Sequence, residues 1–117
     1  MAKVYNLVRV SSTTAGTGTI TLGTAVTGFI TWASAGAVDG DVVEYSINDG
    51  ANSEKGSGTY NSSATATITR TNIYTSTNSN NAINLSGLSS TCNIFCDPSA
   101  QNLWVINTDQ HTLYGGI

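Results

Sequence analysis

Hydrophobic and polar residues alternate with a period of two in several short segments of the chain. In "DGDVVEYSINDG", Val43, Tyr45 and Ile47 share one face, while Glu44 and Ser46 share the other. The segments "TGTITLGT" and "TATITRTNIY" repeat the alternation with threonine at many of the polar positions. Because successive side chains of a strand point to opposite faces, this pattern predicts half-buried β-strands.

Turn signals separate these segments at intervals of about 8 to 12 residues, which is typical of β-sandwiches and barrels. Asp39-Gly40 and Asp49-Gly50 flank the clearest strand, and glycine accepts the positive φ that tight turns require. "TGFITWAS", "INLSG" and "TCNIFCD" predict further short strands, and "KGSGTY" approaches a strand through its glycines. No window has helical periodicity longer than a turn or two.

We therefore predict an all-β domain over residues 1–100, a small antiparallel β-sandwich or barrel of about six to eight short strands. The N-terminal "VYNLVRV" is expected to add a strand, and the two ends of the chain to be extended. The core is expected to form from apolar side chains at the alternating positions. They are Ile20, Leu22, Phe29, Val43, Tyr45, Ile47, Ile68, Ile94 and Phe95.

The C-terminal residues 101–117 differ from the rest because apolar side chains are concentrated there after the single proline. Soluble monomers rarely expose a large apolar patch, so the segment either closes its own sheet or docks on a neighbour. We favour a docking arm, because a small domain has little room for large aromatic side chains. The predicted interface residues are Leu103, Trp104, Val105, Ile106, Leu113, Tyr114 and Ile117.

The composition is unusually poor in charge. The chain has 18 threonines, 14 serines and 12 asparagines among its 117 residues, but only 9% of its residues are charged. Ordinary soluble domains have about 25% charged residues, and disordered chains are usually rich in charge and proline. The composition therefore indicates a folded domain with a neutral polar surface, which loses little hydration when it is buried against another protein.

Charge and hydropathy also exclude several partners. Four scattered cations and a net charge of −3 cannot form a phosphate-binding stripe, so nucleic acid is not expected. No run of about 20 apolar residues predicts a membrane span. The N-terminal sequence lacks the apolar core of a signal peptide, so we expect the chain to remain in the cytoplasm where it is made.

Residues that could support chemistry are few and isolated. Cys92 and Cys96 are too far apart in a strand for a mutual disulfide, and they are expected to be buried and inert, with an intersubunit disulfide as the alternative. His111 is the single histidine, and only Asp109 lies near it as a second metal ligand. Glu54 is the most conspicuous carboxylate, but the sequence indicates no partner for it. We therefore expect no enzymatic activity, no catalytic residues, no metal and no cofactor.

The order of several segments resembles a β-rich module found in proteins of tailed bacteriophages. The resemblance covers residues 8–100. It depends on Gly16-Thr17-Gly18-Thr19, Gly28-Phe29, the spacing of Tyr45, Ile47 and Asp49-Gly50, Gly58-Thr59-Tyr60 and Arg70-Thr71. The module often has a tryptophan where Ser53 stands here. The resemblance implies a structural protein of the virion, made in the bacterial cytoplasm, and no catalytic residues.

Two hypotheses follow from this resemblance. The first is a capsid decoration or cement protein, expected to form a homotrimer and to bind the major capsid protein. The second is an adaptor or binding module of the tail fibre or baseplate, bound to a tail protein. The short chain and the apolar C-terminal segment favour the first, because a fibre protein usually adds shaft repeats or a receptor domain.

Overall fold

A computed structural model describes residues 2–98, which form a β-rich domain with eight strands and one short helix. This confirms the predicted all-β class and the number of strands. The elements in chain order are β1 (Arg9–Ser11), β2 (Ala15–Gly16), β3 (Ile20–Thr21), α1 (Trp32–Ala35), β4 (Val42–Asp49), β5 (Asn52–Asn61), β6 (Thr67–Ser76), β7 (Leu85–Ser86) and β8 (Cys92–Phe95).

Six of these strands form one antiparallel sheet in the order β1-β8-β4-β5-β6-β3, and β2 pairs with β7 in a separate two-stranded sheet. The two edges of the larger sheet are bridged by residues 23–26. There, the backbone N–H of Gly23 donates to the Ser11 carbonyl, and that of Val26 donates to the Arg9 carbonyl. The curled sheet therefore closes on itself in the manner of a small barrel.

The central hairpin connects β4 to β5 through the two residues Gly50 and Ala51. Asp49 pairs directly with Asn52, and Gly50 has a φ of 65°. Positive φ at the first of two turn residues matches the twist of the flanking strands, and glycine adopts it without a steric penalty. The Asp49-Gly50 turn predicted from the sequence is confirmed.

The glycines of "KGSGTY" lie within β5 rather than before it. A Cβ on Gly56 would lie 2.1 Å from the Asn72 carbonyl oxygen, and a Cβ on Gly58 would lie 2.2 Å from that of Thr69. The register between β5 and β6 shifts at Lys55/Gly56 and at Ser57/Gly58. Glycine therefore permits the close backbone approach that these irregularities create.

The segment "TGFITWAS" does not form the predicted strand. Thr31 caps a one-turn helix instead, because its side-chain oxygen accepts from the Ser34 backbone N–H, and the helix ends at Gly36 with a φ of 111°. The N-terminal "VYNLVRV" is also less regular than expected. Leu7 has a φ of 61°, and upstream of β1 the chain makes only isolated bridges at Lys3 and Val8.

Seven of the nine predicted core residues are buried, but Phe29 and Phe95 are not. Phe29 is 41% exposed, because it belongs to the bend before α1 and Trp32 fills the core from the helix. Phe95 is half-buried, because it follows Ile94 on the same strand and so points to the opposite face. The apolar core also contains residues outside the predicted list of nine, among them Cys92, whose burial was expected. They are Val8, Val10, Trp32, Ala37, Tyr60, Ile83, Leu85 and Cys92.

Candidate functional site

The predicted interface residues, from Leu103 to Ile117, lie outside the described residues, as do Asp109 and His111. The docking arm therefore stays a prediction. Within residues 2–98, no group of three or more histidine, cysteine, aspartate or glutamate side chains is placed to bind a metal ion.

The two cysteines are free thiols. Cys92 is buried, and Cys96 is half-buried and accepts a hydrogen bond from the Tyr5 backbone N–H at 3.3 Å. Burial raises the pKa of Cys92 to about 11, and burial also raises the pKa of Cys96. Because the thiolate is the reactive form, both side chains are protonated at neutral pH and are poor nucleophiles.

Glu54 lies inside the sheet in a buried polar network. Its carboxylate accepts from the Tyr45 hydroxyl at 2.6 Å, from the Ile83 backbone N–H at 2.8 Å and from Arg70 Nη1 at 3.0 Å. The side chains of Arg70 and Glu54 are only 3% and 0% exposed. Burial, followed by the hydrogen bond to Glu54, raises the pKa of Tyr45. The network is therefore an ion pair removed from water, in which the carboxylate also accepts two further hydrogen bonds.

Arg70 extends this network to three backbone carbonyls. It donates to Gly18 at 2.9 Å, to Ile83 at 3.0 Å and to Gly16 at 3.1 Å. One guanidinium thus fastens the glycine-containing segment 16–18 and the loop that contains Ile83 against the central strands. Sequence reasoning singled out Glu54 but found no partner for it. The alternation of side chains along β5 could have indicated that Glu54 is buried. Glu54 and Tyr60 are six residues apart, so they share a face of the strand, and Tyr60 is buried.

Asp41 joins the N-terminal segment to the turn before β4. It accepts from Lys3 Nζ at 2.8 Å, from the Tyr5 hydroxyl at 2.5 Å and from the Val38 backbone N–H at 2.9 Å. The hydrogen bond from Lys3, followed by those from Tyr5 and Val38, lowers the pKa of Asp41 to about 2. Burial and the same hydrogen bond raise the pKa of Tyr5 to about 12. The predicted turn at Asp39-Gly40 is thus tied to the segment around Lys3 and Tyr5 by a carboxylate.

Asp49 has a comparable structural role at the other end of β4. Burial alone would raise its pKa, but hydrogen bonds from the Ser86 N–H, the Ser86 hydroxyl and the Thr91 hydroxyl outweigh it and lower the pKa. These bonds hold β7 and the turn before β8 against the central hairpin. The carboxylate therefore replaces backbone pairing where the strands are short.

The outer face of the large sheet carries a row of side chains that crosses five strands. Arg9 pairs with Phe95, Phe95 with Ser46, Ser46 with Lys55, and Lys55 with Thr75. An open groove of about 620 Å³ runs over this row, and Asp97 and Pro98 also line it. The groove is lined by one aromatic ring, Phe95, by the cations Arg9 and Lys55 and by the exposed carboxylate of Asp97, and most of its remaining lining consists of hydroxyl and amide groups.

Arg9 differs from the other cations of the chain. Lys3, Lys55 and Arg70 form ion pairs with Asp41, Asp97 and Glu54 at 2.8, 3.0 and 3.0 Å. The guanidinium of Arg9 instead lies 5.3 Å from the ring centre of Phe29 and 4.6 Å from that of Phe95. These are cation–π distances. Among the residues that the structure describes, no carboxylate pairs with it.

The fold and this surface define a small, closed all-β domain whose charged groups are largely used to fasten its own loops. Comparison with family models, curated proteins and solved structures finds no match to this chain. Within residues 2–98, no helix is long and apolar enough to cross a membrane.

Proposed function

We propose that the chain is a structural protein of a tailed-bacteriophage virion. In this proposal it is a capsid decoration or cement protein that binds the major capsid protein and stabilises the shell through homotrimeric contacts. The proposal assigns it no enzymatic activity. The resemblance of residues 8–100 to a phage module is the starting point for this assignment.

The observation that carries the proposal is the internal use of charge. Asp41, Asp49 and Glu54 are buried and bind groups of their own domain. Asp97 lies on the outer face but is paired with Lys55, so the rest of that face is left with mostly neutral hydroxyl and amide side chains. Such groups lose less hydration energy than ions when another protein covers them. Repetition of a small contact in a symmetric assembly then multiplies its effect.

Localisation on the virion tests the proposal. Antibodies against the purified chain, bound to particles of the phage that encodes it and imaged by electron microscopy, should label the capsid surface. Labelling confined to the fibre or baseplate would favour the second hypothesis, a tail adaptor or binding module. Particles that contain none of the chain would contradict both.

A truncation tests the docking arm within this proposal. Deleting residues 102–117 should leave a folded domain that no longer forms trimers or joins the particle. Trp104→Ala should weaken the same association, because a large aromatic at a protein contact often contributes about 2 kcal/mol or more. If the truncated chain unfolds, the segment belongs to its own core and the docking arm is wrong.

A further inference from the structure

We propose that the groove beside Arg9 binds the C-terminal segment of a second copy of the chain, through an ion pair between Arg9 and Asp109. This inference rests on the copy-to-copy docking proposed above and supplies its site. It follows from charge complementarity, from the preorganisation of Arg9 and from the length of chain beyond Pro98.

Charge complementarity identifies the two partners. Three of the four cations already have a carboxylate in their own domain, and Arg9 is the one that has none among residues 2–98. Asp109 is the one acidic residue of the sequence that lies beyond Pro98. The C-terminal segment therefore carries one acidic side chain, and the groove offers one cation without an acidic partner.

The surroundings of Arg9 prepare it for a carboxylate. Contacts with the rings of Phe29 and Phe95 restrict the guanidinium, and no described acceptor takes a hydrogen bond from it. Arginine binds a carboxylate through two parallel N–H donors. A guanidinium whose motion is already restricted loses less conformational entropy on binding. The hydroxyl and amide groups along the rest of the groove can bond to an extended backbone.

The length of the segment allows it to dock on a second copy. Asp97 is held to the sheet by Ser46 and Lys55. Lys55 and Arg9 are three strands apart in the sheet, which corresponds to about 14 Å. The chain from Asp97 to Asp109 can span up to about 40 Å when extended. It is long enough to reach a neighbouring domain as well as its own Arg9, and the copy-to-copy docking proposed above selects the neighbouring domain.

Charge exchange between the two positions tests the inference. Sedimentation equilibrium of the full chain should detect self-association, and Arg9→Asp and Asp109→Arg should each weaken it by about tenfold or more. The double variant Arg9→Asp/Asp109→Arg should recover most of the affinity. Far-UV circular dichroism and thermal melting verify that each variant is folded.

Mixing the two single variants distinguishes a second copy from the same chain. Each variant alone places like charges at positions 9 and 109, but in the mixture these positions carry opposite charges across every contact between unlike copies. If each single variant fails to associate alone but the two associate with each other when mixed, docking between copies is supported. A monomeric wild-type chain, single variants that associate normally, or no recovery in either the double variant or the mixture would overturn it.

A neutral pair of variants covers the case in which Arg9→Asp does not fold. Arg9→Gln, Asp109→Asn and their combination should weaken association to a similar extent, because each removes the same ion pair. Additive losses in the combination would overturn the pairing. Virion labelling is a separate measurement, so the chain can prove to be a virion protein even if this pairing fails, and the reverse also holds.

Discussion

Replacing Arg70 by methionine should destabilise the domain by about 3–5 kcal/mol. The substitution removes the cation that faces Glu54 at 3.0 Å, where neither side chain is more than 3% exposed. It also removes the donors to the carbonyls of Gly16, Gly18 and Ile83. A buried carboxylate without its countercharge dominates the cost, since backbone carbonyls can turn to water more easily. Because small domains are stable by about 5–15 kcal/mol, such a loss is a large part of the total.

Urea unfolding followed by far-UV circular dichroism measures this free energy. Lys55→Met is the matched control. It also removes a cation from an ion pair, but Lys55 and Asp97 are 15% and 53% exposed, so the expected cost is about 0–1 kcal/mol. The double variant Arg70→Met/Glu54→Gln should be more stable than Arg70→Met, because it leaves no unpaired charge inside. Equal losses in Arg70→Met and Lys55→Met would refute the reasoning.

Three further predictions concern the backbone, the pH dependence and the core. Gly58→Ala should lower the melting temperature markedly, because the new Cβ would meet the Thr69 carbonyl. Gly18 has open space around it, so Gly18→Ala should change the melting temperature little. Similar decreases in the two variants would contradict this prediction. The folded pKa of Asp41 is about 2, below its ordinary 3.8, so its contribution is complete above about pH 4 and is lost as the pH falls toward 2. As the pH falls through this range, the urea midpoint of Asp41→Asn should decrease less steeply than that of the wild-type chain. Equal slopes for the two proteins would contradict this role of Asp41. Ile47→Ala should lower the free energy of unfolding by about 2–5 kcal/mol. Phe29→Ala should lower it clearly less in the same assay, because Phe29 is 41% exposed, and the reverse order would be inconsistent with the fold.

Local patterns predicted the central strands and their hairpin well, because side-chain alternation and turn chemistry depend on neighbours in the sequence. The face shared by Val43, Tyr45 and Ile47, and the turn at Asp49-Gly50, follow from such rules. The same rules overestimated Phe29. A bend followed by a capped helical turn placed Trp32 in the core instead, and the cap at Thr31 is a signal that the sequence carries.

The polar network could not be predicted in the same way, because its contacts are distant in the sequence. Arg70 bonds to Gly16, 54 positions away, and to Glu54, 16 positions away. These contacts depend on the register of β5 against β6, which two irregularities shift. The pairing of Arg9 with Phe95 likewise requires the order of β1 and β8 in the sheet. Sequence alone identified several of the residues involved but not which of them meet.

The low charge of the chain and its internal ion pairs have one physical explanation. A small domain with short strands leaves many loop backbone groups without ladder partners, and a carboxylate can accept several N–H or O–H donors at once. Asp41, Asp49 and Glu54 each accept three such bonds. Carboxylates used in this way are withdrawn from the surface, so the outer face becomes neutral as a consequence of how the loops are held. A cation that remains on that face, as Arg9 does, then has a large influence on which partner fits it.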